Sequence, residues 1–368
     1  CVRQIFGPHW TRPALTAPAT EAAQESFLEP SNANRGNPPL TDRQIQEWRN
    51  KGFVLVDGVV SLDLVNHLLA AAAEMFPKIG SKEAAAIKDF GEGITFPGES
   101  EHFNNLTLNP RLLMASAQLL DVLVAKLRLT QSDLWPKYSA TNEQDALDNQ
   151  DQRIHMDYPN HSLTHPPQWD EPEAVEIIVY LSDQSEVGGS TAIVPRISAE
   201  DEAYAPPLVH SPGIGDIPWI NDRSQAEAWF HQNQPEVAEL RQRLYQREKY
   251  TQHRKGSVLF YRHDVWHRGT PLHNDKVRFA QNLTFRKAEA SWISTIHPGW
   301  AWAMYKPDQR MERLIAKLSP EQRSVLGFPA PGDSYWDAQK VDAVEARYGA
   351  FGFDPAPYRE QLLSTGLD

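Results

Sequence analysis

Short apolar runs separated by turn residues are the feature that most constrains this chain. Val175-Glu-Ile-Ile-Val-Tyr-Leu181 is rich in β-branched residues and carries one interior charge, Glu176. Gly188-Gly189 marks a turn, and the run Ser190 to Val194 that follows is stopped by Pro195. Lys255-Gly256 opens a further run, Ser257 to Tyr261, and Val277 to Phe285 is another. All are of strand length, with Gly, Pro and Asp turns between them. This succession predicts an antiparallel sandwich or jelly roll, not alternating βαβ units. No Gly-rich phosphate loop and no internal repeat is visible.

The front of the chain reads differently. Residues 1–39 are rich in Pro, Ala, Asn and Thr without periodicity, which predicts an extended or disordered arm. Glu21, Glu25 and Glu29 argue against a transit composition, and no apolar segment fits a secretory signal. Thr41-Asp-Arg-Gln44 is a capping box, opening a helix expected to end at Gly52. Phe53 to Val56 reads as a strand. Ser61 caps a second helix, with Leu62, Val65, Leu68, Leu69, Ala72 and Phe76 at helical spacing, and Leu112 to Leu127 predicts a third. A highly charged, partly helical segment from about 198 to 254 reads as a lid-like insertion between core strands. Helices resume in the tail, where Ser319-Pro-Glu-Gln322 is an N-cap with Pro at the first helical position. The expected class is mainly β with α support. Its parts are an arm over 1–39, a β-rich domain over 40–290 and a helical extension over 291–368 packing on it.

Composition narrows the chemistry. Acidic residues number 48 and basic ones 36, a net charge of −12, which disfavours nucleic-acid and anionic-membrane surfaces. No stretch approaches the roughly 18 apolar residues of a membrane span. The expectation is a soluble intracellular protein, placed in the cytoplasm with organelle targeting left open. The single cysteine, Cys1, rules out disulfides, thiolate zinc sites and cysteine catalysis within the body. Any metal must therefore be held by carboxylates and some of the 13 histidines.

His155-Met-Asp157 is the best starting point. Residues i and i+2 of an extended backbone face the same way, so an imidazole and a carboxylate converge. His267, in Asp264-Val-Trp-His-Arg-Gly269 just past the run Ser257 to Tyr261, is the candidate third ligand. Two His and one carboxylate on one face of an octahedron leave three positions open, as in non-haem Fe(II) oxygenases. Arg278 lies 11 residues beyond His267 on the next strand. There Arg278, Ala280, Asn282 and Thr284 share one face, and Val277, Phe279, Gln281, Leu283 and Phe285 the other. An Arg inside a barrel needs a partner, and a carboxylate ligand held bidentately supplies one.

His155, Asp157, His267 and Arg278 together resemble the phytanoyl-CoA dioxygenase family of Fe(II)/2-oxoglutarate oxygenases. Leu40 to Gly58 resembles that family's first helix and strand, and Gly189-Ser-Thr-Ala-Ile-Val-Pro-Arg196 its glycine-turn strand. The resemblance covers roughly residues 40–290. It implies a double-stranded β-helix (jelly roll, cupin-like) with iron held by His155, Asp157 and His267. It also implies 2-oxoglutarate bound by Arg278 with help from Thr270, Lys137 at a cosubstrate-contacting position, and O2 as co-reactant. Tyr180 is a candidate cosubstrate contact that core packing explains equally well. The implied reaction is hydroxylation, desaturation or cyclisation of a small organic substrate of the kind met in secondary metabolism, with carboxylate-bearing molecules among the candidates. Halogenating relatives lack the carboxylate, so Asp157 argues against halogenation.

Two other readings stay open at this level: a cupin-like metalloenzyme that does not use 2-oxoglutarate, and a non-catalytic binding module. His161, His165, His210, His263, His273 and His297 read as ordinary, with pocket lining as the alternative for His161 and His165. Arg153 and Arg286 read as surface charge, with contact to an anionic substrate as the alternative. The aromatic run Trp292 to Trp302 reads as tail packing.

Overall fold

A computed structural model describes residues 26–87, 93–139, 151–157, 169–204, 219–290, 310–333, 336 and 338–365. Residues 1–25, His161, His165, His210, His297 and the run Trp292 to Trp302 lie outside the described residues.

The amino-terminal signals act as read. Thr41 caps helix α1 (Asp42–Lys51) in a reciprocal box with Gln44, and Gly52 closes it at φ +96°. A Cβ at Gly52 would lie 2.5 Å from Cγ2 of Val265 and 2.9 Å from the Trp169 ring, so only glycine fits this turn. Ser61 caps α2 (Leu62–Met75), which buries Val65, Leu68 and Ala72.

Two facing sheets make the body. The seven-stranded sheet runs β2-β3-β9-β6-β11-β5-β4 and the four-stranded sheet β1-β8-β7-β10. In chain order they are β1 (Phe27–Leu28), β2 (Ser31–Asn32), β3 (Phe53–Asp57), β4 (Ile94–Thr95), β5 (Leu127–Tyr138), β6 (Ala174–Tyr180), β7 (Thr191–Ile193), β8 (Lys249–Thr251), β9 (Val258–Tyr261), β10 (His267–Gly269) and β11 (Val277–Lys287). This is the jelly-roll architecture of a double-stranded β-helix, mainly β with helical support. The alternation expected on β11 holds: Phe279, Leu283 and Phe285 join the core under the helices, while Ala280 joins the core between the sheets. Phe53, Leu55, Ile178, Tyr180, Leu259 and Tyr261 meet Ile193, Val265 and Trp266 in that inner core.

Several boundaries differ from the sequence reading. The arm is not loose at its end: β1 pairs with β8 and β2 with β3, both parallel. The third helix does not reach Leu127. It spans Pro110–Leu120 (α3) and stops at Asp121, which adopts φ +54°. Leu123 is 75% exposed and Leu127 begins β5, so two unrelated elements had merged into one apparent apolar stripe. The insertion is shorter than expected, because Lys249–Thr251 is a strand of the smaller sheet. Its helices, α4 (Arg223–Asn233) and α5 (Pro235–Gln246), are bolted to the strand that carries His155. Arg241 of α5 donates to the Ile154 carbonyl at 3.0 Å and pairs with Glu227 of α4, while the Tyr245 hydroxyl accepts from the Ile154 amide at 3.0 Å. The tail packs on the outer face. Ser319 and Gln322 form the expected capping box at α6 (Pro320–Val325), and Arg128 of β5 donates to the Ser324 carbonyl.

Candidate active site

His155, Asp157 and His267 converge between the sheets, with one ligand atom from each lying within 4.8 Å of the others. Two backbone features bring them there. The segment 151–157 pairs with β10, His155 and His267 exchanging main-chain hydrogen bonds at 3.0 and 2.9 Å. The β9–β10 turn then fixes Asp157, whose amide donates to the His263 carbonyl at 3.1 Å. That turn is braced from within: Arg262 holds Asp264 through two hydrogen bonds of 2.8 and 2.7 Å and lies 4.0 Å from the Trp169 ring centroid.

The donor set fits a divalent metal. Each imidazole has its Nδ1 3.0 Å from a backbone carbonyl, Arg153 for His155 and Val265 for His267. In the neutral form of each ring the proton sits on Nδ1, which makes Nε2 the ligating nitrogen. Those Nε2 atoms face Asp157, at 3.6 Å from Oδ1 and 3.2 Å from Oδ2. Burial and the neighbouring His267 push the His155 pKa down to about 3, which keeps that ring neutral. Burial also disfavours charge on His267, but Asp157 outweighs it and moves the pKa up. Metal in place of the proton satisfies the same carboxylate.

The sequence reading passed over Tyr261. Its hydroxyl donates to Asp157 Oδ2 at 3.0 Å. The signal was available, since Tyr261 shares the inward face of β9 with Leu259. Supporting hydrogen bonds to ligating carboxylates typically contribute tenfold or more to metal affinity. Tyr261→Phe is therefore expected to weaken Mn(II) binding by about tenfold in calorimetric titration with little change in Tm.

Arg278 lies farther along β11, directly across from Lys137 in the β11–β5 register. Arg278 Nη1 donates to the Gly189 carbonyl, and its buried Nε has no protein partner among the described residues. Lys137 is 5% exposed and donates to the Thr270 carbonyl at 2.8 Å, while Thr270 Oγ1 donates to Ser190 at 2.8 Å. Burial, then the Arg278 charge, holds the Lys137 amine well below its ordinary range. Two adjacent buried cations are costly unless an anion joins them. Tyr180, fully buried, hydrogen-bonds Thr191 at 2.7 Å beside this pair.

The opposite end of β11 is acidic and amide-rich. Thr284 donates to Glu176, and burial followed by the nearby Asp157 raises the Glu176 carboxyl well above its usual range. Gln131 and Asp133 continue this face, linked at 2.9 Å, opposite Thr284 and Asn282. Arg153 and Arg286 are not surface charges: they are 0% and 6% exposed, and Arg286 Nη1 donates to the carbonyls of 287, 288 and 290. His263 is buried, whereas His273 is exposed.

A sheet sandwich with a His-Asp-His cluster at one level and paired cations at another defines a non-haem metal oxygenase class. The phytanoyl-CoA dioxygenase family model matches residues 48–280, and the chain belongs to that family of Fe(II)- and 2-oxoglutarate-dependent enzymes. No curated protein matches the chain. Similar solved structures include the non-haem alpha-ketoglutarate-dependent epimerase SnoN from nogalamycin biosynthesis, 16% identical, covering 67% of this chain and 83% of that one, TM-score 0.43. EvdO2 from Micromonospora carbonacea var. aurantiaca complexed with 2-oxoglutarate is 15% identical over 68% of this chain and 93% of that one, TM-score 0.43. The carbocyclase SnoK from nogalamycin biosynthesis is 17% identical over 73% and 93%, TM-score 0.44.

Proposed function

We propose that residues 40–290 form the catalytic unit of an oxygenase that oxidises a C–H bond of a small organic molecule. The observation that carries this reading is a His, Asp, His donor set between the sheets together with the adjacent basic pair Lys137 and Arg278. His155, Asp157 and His267 would hold iron. Arg278 and Lys137 would hold the distal carboxylate of 2-oxoglutarate, with Thr270 fixing Lys137 through its carbonyl. Bound iron and 2-oxoglutarate supply oxidation by O2, coupled to loss of CO2 and formation of succinate. The protein's part is to orient the ligands, neutralise the cosubstrate and present the substrate. A cupin-like metalloenzyme without 2-oxoglutarate has no use for the Lys137–Arg278 pair.

The face bearing Gln131, Asp133, Asn282 and Glu176 supports a substrate rich in hydroxyl or amino groups. The Asp133 carboxylate on that face makes a substrate carboxylate the less suited group. Hydroxylation is the simplest outcome, with desaturation or cyclisation needing a second hydrogen abstraction or cation capture in place of hydroxyl transfer. Among the described residues no helix is long and apolar enough to cross a membrane.

Anaerobic titration of the Fe(II) protein with 2-oxoglutarate tests the reading. A visible charge-transfer band should appear, and aerobic turnover should release succinate. Removing one side of a buried charge pair costs about 2–5 kcal/mol, so Arg278→Ala should weaken 2-oxoglutarate by roughly thirtyfold or more. A band absent from the wild-type protein, or unchanged in Arg278→Ala, would overturn the assignment.

A further inference from the structure

His253 has no role in the reading above, yet it lies beside the cation pair. It follows β8, is 2% exposed, and its carbonyl accepts from the Gln184 amide at 2.9 Å. Its ring stacks on Tyr180, with centroids 3.7 Å apart and planes 9° from parallel. Burial and then the nearby Arg278 charge push its pKa well below the ordinary value, so the ring is neutral.

The hydrogen bonds around the ring accommodate the tautomer protonated on Nε2. The Thr191 amide donates to Thr251 Oγ1 at 2.9 Å. Thr251 Oγ1 lies 3.2 Å from His253 Nδ1. With one lone pair already used, the Thr251 hydroxyl has its proton to give either to Nδ1 or to the Tyr180 hydroxyl, with which it also interacts. That chain of donors is complete when the imidazole carries its own proton on Nε2. Nε2 is buried and has no protein partner among the described residues. Arg278 Nε, in the same neighbourhood, is likewise buried without one. His253 stacks on Tyr180, which stands across from Ala280, the neighbour of Arg278 on the inward face of β11, so a ligand held by Arg278 would have both unpartnered nitrogens within its surroundings.

We propose that His253 is a further cosubstrate-binding residue, its Nε2–H donating to the distal carboxylate of 2-oxoglutarate alongside Arg278. This rests on the assignment of Arg278 to that carboxylate. A neutral donor is physically suited to the place. Arg278 and Lys137 already repel one another, and a third cation would raise the cost of the site between turnovers. An imidazole adds a hydrogen bond without adding charge, while its flat face packs on Tyr180.

His253→Phe keeps the stacked ring and removes the donor, and His253→Gln restores a donor of similar reach. Both are compared with wild type on the Fe(II)-loaded protein under anaerobic conditions, reading the charge-transfer band. One ligand is 2-oxoglutarate and the other is 2-oxopentanoate, which has a methyl group in place of the distal carboxylate. His253→Phe should raise the Kd for 2-oxoglutarate about tenfold, as expected for a hydrogen bond to a charged group. The Kd for 2-oxopentanoate should stay within about twofold, and His253→Gln should recover most of the loss. Unchanged 2-oxoglutarate affinity in His253→Phe overturns the proposal. An equal loss for both ligands also overturns it, because His253 would then act only on the shape of the pocket. Failure of the wild-type protein to bind 2-oxoglutarate is a separate outcome that overturns the cosubstrate assignment itself, and this proposal with it.

Discussion

His267→Ala should weaken Mn(II) or Fe(II) binding by more than a hundredfold and abolish succinate formation. Groups that merely support a metal ligand contribute about 10–100-fold, so removal of a ligand must exceed that range. The fold should survive. His267 holds the segment 151–157 through its main chain, with hydrogen bonds of 3.0 and 2.9 Å to and from His155, and these are untouched by the substitution. The deleted ring takes one nitrogen from beside Asp157, leaving His155 and the carboxylate as a two-point site. Calorimetric Mn(II) titration, with a thermal melt of the metal-free variant, checks both halves. Metal affinity within tenfold of wild type would show that His267 is not a ligand.

Arg262→Met should cost about 3–5 kcal/mol of stability at neutral pH, the usual result of leaving a buried charge without its partner. Arg262 and Asp264 are 1% and 2% exposed and bind each other through two parallel hydrogen bonds. The pH dependence has a defined sign. In the wild type, burial raises the Asp264 pKa but Arg262 more than offsets it, so the net shift is downward. That stabilisation is present above the unfolded pKa of about 4 and is lost as pH falls through the folded value. Without Arg262, burial is the largest remaining influence, opposed by His263 and a backbone hydrogen bond, and the folded pKa moves up. The penalty is then full at high pH and fades as the carboxyl protonates. Urea melts should therefore show the largest gap between variant and wild type near pH 8 and a smaller one near pH 5. A gap independent of pH would mean that lost contact with Trp169, and not Asp264, sets the cost. Since the turn carries His267, the variant should also lose metal affinity.

Much of the candidate site was legible because its geometry is local. The two-residue spacing of His155 and Asp157 puts both on one face of any extended segment, and the alternation of β11 places Arg278 inward whatever the rest does. The capping boxes at Thr41 and Ser319 are decided within four residues, and both form as read. What was misread depends on neighbours distant in sequence. Leu123 and Leu127 fit a helical stripe, but only one is buried, and in a strand. Lys249–Thr251 looks like the end of a charged insertion until β7 and β1 supply its pairing. Phe27, Leu28, Ser31 and Asn32 have too little pattern to announce strands, and they become strands only because two sheet edges accept them.

The sequence by itself determined the ligand types, the absence of thiol chemistry in the body and the face on which each candidate sits, because residue type and strand period are local properties. Only the tertiary structure decided that Lys137 stands across from Arg278, that Tyr261 reaches Asp157 and that His253 stacks on Tyr180. Those contacts join residues 141, 104 and 73 positions apart, counted from the residue numbers. Strand register and sheet packing bring them together, and both are set by burial of the whole inner core, which no local pattern encodes.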